Sequence, residues 1–127
     1  MAMTLEEIKM VLNGELEYRT KRVEEINEIL KNILASDIPS SYADRIERFI
    51  EHTSVIEIIN LVKSKVNSFN DDGKTTINEY LKGELTELML RLTYNVTNTT
   101  TAVDKLYMVN KIKALNMLMY GTARILD

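Results

Sequence analysis

One proline and four glycines in 127 residues constrain the fold of this chain more than any other feature. Ordinary chains carry about 12% of the two together. Hairpins and tight turns draw on glycine for positive φ and on proline for fixed φ. A sequence this poor in both disfavours sandwiches, barrels and collagen-like architectures. It also contains no G-x-G-x-x-G and no Walker lysine motif, so it has no glycine-rich phosphate cradle.

Helical periodicity fills most of the remaining length. Thr4 with Glu7 has the spacing of a capping box, in which each side chain satisfies a free backbone N–H at a helix start. Leu12, Leu16, Val23, Ile26, Leu30 and Ile33 follow as an apolar stripe, interrupted only by Arg19. This predicts a helix over residues 4–35, bent or broken at Gly14. Residues 36–41 contain Pro39 and read as a turn. Tyr42, Ile46, Phe49 and Ile50 begin a second stripe. Ser54 with Glu57 has capping-box spacing again, which predicts a break near His52-Thr53 and a continuation to Phe69. Asn70-Asp71-Asp72-Gly73-Lys74 is the clearest loop.

Thr76 with Glu79 caps a third helix, with Ile77, Leu81, Leu85, Leu88 and Leu92 inward as far as Tyr94. Residues 95–101 are β-branched or turn-forming throughout, so the helix is expected to end there. Thr101 with Asp104 caps a fourth helix, read over 102–126. The expected fold is all-α: an antiparallel bundle of four long helices, the second broken near residue 53, in one domain over residues 1–127.

Composition narrows the functions. With no cysteine there is no disulfide, thiolate metal site or cysteine nucleophile. A formal net charge of −3 gives no basic footprint for nucleic acid. No apolar run approaches the roughly 18 residues of a membrane span. The N-terminal residues lack the basic start and apolar stretch of a signal peptide. A cytoplasmic protein without nucleic-acid or membrane partners is the expectation. Abundant isoleucine, asparagine and lysine point to an AT-rich genome such as that of a phage, a virus or a low-GC bacterium.

Two helices carry more apolar surface than one core needs. In the third, Tyr80, Gly83, Leu90 and Tyr94 form a stripe opposite the leucines. In the fourth, Tyr107, Ala114, Leu118, Gly121 and Ile125 form a stripe beside Met108, Ile112, Leu115 and Met119. The first reading is that the last helix is central to the bundle. The second is that these stripes form a homo-oligomer interface, with Tyr80, Tyr94 and Tyr107 as anchors. Met108, Met117 and Met119 read as core filler.

Three patterns touch on chemistry. Glu24, Glu25 and Glu28 form E-E-x-x-E on one helix face, a spacing able to ligate Mg²⁺. The pattern resembles the start of the metal site in all-helical MazG-type nucleotide pyrophosphohydrolases. That resemblance implies an E-x-x-D on the next helix; the counterpart here is Glu57 followed by Asn60. Asn70, Asp72, Gly73 and Glu79 resemble the third, fifth, sixth and twelfth positions of an EF-hand calcium loop. Ser68 stands where that pattern has its first aspartate. Arg45 and His52 have the R-x6-H spacing of HEPN-type ribonucleases, and His52 is the sole histidine. Solvated helix faces, an ordinary D-D-G turn and a helix-end histidine explain the same residues.

The function expected from the sequence is therefore a non-enzymatic protein-interaction module. It would be a small phage- or virus-encoded regulator or inhibitor, without catalytic residues or cofactor, acting through helical faces. Its partners would be itself, as a dimer, and an unknown protein. The competing reading is a Mg²⁺-dependent all-α nucleotide pyrophosphohydrolase using Glu24, Glu25, Glu28 and Glu57.

Overall fold

A computed structural model describes residues 2–32 and 39–127. Four helices follow one another: α1 (Leu5–Asn32), α2 (Pro39–Asn67), α3 (Ile77–Asn98) and α4 (Ala102–Tyr120). Among the described residues there is no strand. Among the described residues no helix is long and apolar enough to cross a membrane.

The capping signals at three helix starts act as the sequence implies. Thr4 N donates to Glu7 Oε1 and Glu7 N donates to Thr4 Oγ1, each at 3.1 Å, which closes the reciprocal box ahead of α1. Thr76 Oγ1 accepts from Glu79 N, and Thr101 Oγ1 accepts from Asp104 N. Between α2 and α3, Gly73 takes φ +77°, a left-handed conformation that side chains resist. Lys74 N donates to Asp72 Oδ1 at 2.9 Å and tightens the same loop.

Four sequence expectations give way. α2 passes unbroken through residue 53. Ser54 does not cap a new helix; its hydroxyl donates to the carbonyl of Ile50, one turn back, at 2.7 Å. Its neighbours Val55, Ile58 and Ile59 are buried, so packing holds the helix through the weak point. α1 likewise runs through Gly14. α3 continues four residues past Tyr94, because Thr93, Thr97 and Asn98 bond the carbonyls four residues behind them instead of breaking the helix. α4 stops at Tyr120 rather than 126. The expected turn at 36–41 lies in part outside the described residues, and Pro39 is the first residue of α2. That position suits proline, since the missing N–H has no helical partner there.

α1 packs mainly on α2, α2 on α4, and α3 on α4 with a smaller contact to α2. One core runs through all four helices. Ile8 and Leu12 of α1, Ile58, Ile59 and Val62 of α2, Leu81 and Leu85 of α3, and Leu115 and Leu118 of α4 lose all contact with solvent. The chain after α4 completes it. Gly121 N donates to the carbonyl of Met117, and Ile125 N reaches back to that of Leu118 at 2.8 Å. Asp127 N donates to Oδ1 of the buried Asn78 near the start of α3. Ala123, Ile125 and Leu126 are thereby buried without being helical.

Candidate functional site

Arg19, the one polar residue in the apolar stripe of α1, points into the junction of α1, α2 and α4. Its side chain is only 14% exposed. Nη1 lies 2.9 Å from His52 Nδ1, Nε lies 3.4 Å from a Glu15 carboxylate oxygen, and Nη2 donates to Met117 Sδ. Glu51 stands further off, at 3.9 Å. Arginine stays charged, so His52 Nδ1 acts as the acceptor and the ring is neutral. Burial first, then Arg19, pushes His52 below its ordinary value; Arg22 and Arg48 add to the effect and Glu51 opposes it. The Tyr18 ring meets the imidazole edge-on at 6.3 Å and carries the Arg19 guanidinium over its face. A small cleft of about 190 Å³ opens from this junction, with Asn110, Lys113 and Met117 of α4 on its far side.

Further along the α1–α2 groove, Arg22, Arg45 and Arg48 line a second cleft of about 290 Å³. Arg22 pairs with Glu25 at 2.6 Å and Arg48 with Asp44 at 3.4 Å. Arg45 and His52 lie two turns apart on α2, but the imidazole is committed to Arg19 rather than to Arg45.

α3 and α4 carry apolar residues on their outside. Leu90 and Tyr94 on α3 are 67% and 68% exposed, and Val103 on α4 is 62% exposed. Leu106 and Val109 lie open beside Val103. Gly83, one helical repeat before Leu90, is exposed too, and a Cβ added there meets nothing within 4 Å.

The two predicted stripes therefore separate. Leu90, Tyr94 and Gly83 do face outward. Tyr80 does not: its hydroxyl donates to the carbonyl of Lys65 at 3.1 Å and its ring packs on Phe69. On α4 and beyond, Ala114, Leu118 and Ile125 are buried within the chain, and Tyr107 is half-buried. These four cannot present a surface as an exposed stripe would. Gly121 is no point of close helix approach. It closes α4, where a Cβ would sit 2.9 Å from the Met117 Cα.

The carboxylate sets are not brought together. Glu57 pairs with Lys111 of α4 at 2.9 Å, while Glu24 and Glu25 lie exposed on α1 and Glu28 pairs with Lys31. In the α2–α3 loop, Asp72 is engaged with the Lys74 amide, and Asn70 and Glu79 are exposed. Among the described residues no three histidine, aspartate or glutamate side chains are placed to hold a metal ion. The Arg19–His52 pair was missed in sequence; its only signal was a charged residue in the middle of an apolar stripe. No family model, curated protein or solved structure matches this chain.

Proposed function

We propose that this chain is a non-enzymatic interaction module that pairs with a second copy of itself through the outward faces of α3 and α4. The observation that carries the reading is the open apolar surface of Leu90, Tyr94 and Val103, flanked by Leu106 and Val109. No charged residue lies between Arg91 and Asp104, so no ionised side chain of that stretch has to be desolvated. Exposed apolar residues gathered into a patch mark association sites on soluble proteins.

Self-pairing is favoured by the pattern on α3. A two-fold axis between residues 88 and 89 sets two α3 helices antiparallel. Tyr94 of each copy then falls opposite Gly83 of the other, where the absent side chain leaves room. The same axis brings the Glu87–Arg91 pair of one helix near its inverted counterpart, so the charges are self-complementary. Tyrosine in such a contact is a frequent source of binding energy. The dimer would then meet a further protein. A small regulator encoded by a phage or virus and working in the cytoplasm fits the chain's size and acidic charge.

Light scattering across the micromolar range tests this. A mass near twice 14.6 kDa is expected. The double variant Leu90→Glu/Tyr94→Glu should give a monomer with unchanged helical circular dichroism. A wild-type monomer throughout that range rejects the reading.

A further inference from the structure

We propose that the cleft between α1 and α2 lined by Arg22, Arg45 and Arg48 binds the phosphate group of a phosphate monoester, whose organic body rests on Ile26 and Ile29. The two helices bring three guanidinium groups to a cleft that holds only two carboxylates, Glu25 and Asp44. Arg45 has no ion-pair partner among the described residues, whereas Arg22 and Arg48 each pair with a neighbour on their own helix. Those pairs are weak holds. Their carboxylates are 58% and 60% exposed, and exposed pairs one turn apart contribute little. Glu25 and Asp44 can swing into water while the guanidinium forks turn to an incoming dianion. Arginine suits that role because its planar donors match phosphate oxygens two at a time.

The rest of the cleft argues for more than a bare ion. Its volume of about 290 Å³ exceeds what a phosphate group fills. Ile29 is 39% exposed above the buried Ile26, so part of the wall beside the arginines is apolar. A ligand with a phosphate at one end and a flat or aliphatic body at the other matches both halves. This proposal does not depend on self-association, since the cleft lies on α1 and α2 and the apolar face on α3 and α4.

The sole histidine supplies a built-in reporter. His52 lies near the cleft, where the charges of Arg22 and Arg48 help to lower its proton affinity. The experiment follows the His52 ring signals by NMR during titration with inorganic phosphate, phenyl phosphate and acetate at constant ionic strength set with sodium chloride. A saturable shift with phosphate is expected, tighter by severalfold with phenyl phosphate. The His52 titration midpoint should rise when the ligand is bound, because the charge of Arg22 and Arg48 is offset. Arg45→Gln should weaken phosphate binding at least tenfold while leaving the free protein's melting temperature in place. Arg45→Lys should recover only part of the binding. A shift that is linear, or equal to that of added chloride, overturns the proposal. So does an Arg45→Gln variant that binds phosphate as the wild type does. Acetate binding as tightly as phosphate overturns the phosphate assignment.

Discussion

The α1–α2 pair buries a charged and a titratable side chain against each other, and the α3–α4 pair does not. Between α1 and α2 the polar groups are turned inward, with Arg19 and His52 bonded at 2.9 Å beneath a surface of ion pairs. On α3 and α4 the inward faces are apolar except for Asn78, and further apolar residues are turned outward, at Leu90, Tyr94 and Val103. The difference shows that an all-round apolar helix can arise in two ways. α4 is apolar on several sides because it is central, packed by both α2 and α3. α3 is apolar on two sides although only one of them is covered, and the uncovered side is what suggests a partner.

The contrast can be tested by substitution, starting with the largest effect. Leu118 is fully buried, so Leu118→Ala should lower the unfolding free energy by about 2–5 kcal/mol. Chemical denaturation measures it. An effect below about 1 kcal/mol would return Leu118 to the surface, where truncation costs little. Gly121→Ala comes next. The new Cβ meets the backbone of Met117 at 2.9 Å, so the end of α4 must shift, at about 1–3 kcal/mol.

The pH dependence is smaller and has a definite sign. The folded protein holds a proton on His52 less well than the unfolded chain does. The groups facing it are Arg19 and Arg22 from α1, and Glu51 and Arg48 from its own helix. Lys113 of α4 lies across the neighbouring cleft. The stability that His52 contributes is complete above its unfolded value of 6.5 and is lost as pH falls below it toward the lowered folded value. Melting curves from about pH 7.5 to about pH 5.5 should show this decline, and His52→Gln should flatten it. A wild-type profile as flat as the variant's would remove the Arg19–His52 contact from the account.

The smallest effect has the opposite sign. Gly83 is helical and its Cβ position is empty, so Gly83→Ala should stabilise the monomer by about 0.5–1 kcal/mol. Gly83→Trp should weaken self-association by filling the place proposed for Tyr94. Pairing as tight as in the wild type would exclude the antiparallel register.

Sequence alone placed four helices and most of the core because helix periodicity and capping are local. Thr4, Thr76 and Thr101 cap where their spacing implies. Ser54 has the same spacing and does not, because the apolar residues around it keep α2 helical and its hydroxyl finds the carbonyl of Ile50. The end of α4 was misplaced for a related reason. Ile125 and Leu126 extend the apolar pattern, but they are buried by a returning tail anchored to Asn78 and not by another helical turn. Gly83 and Gly121 looked alike as glycines on apolar stripes; only the tertiary structure separates an open surface position from a helix terminus. Arg19 was visible as an anomaly, yet its partner is 33 residues away on another helix, and no local pattern encodes that.

Self-association through the outward face of α3 and α4, as proposed, would cover that face at high protein concentration. Hydrogen exchange measured at low and high protein concentration tests it most directly, because protection reports local opening segment by segment. Amides in peptides spanning residues 83–109 should exchange more slowly as concentration rises, while those of α1 and α2 do not change. Exchange independent of concentration at every site, or protection that grows on α1 and α2 instead, would contradict it.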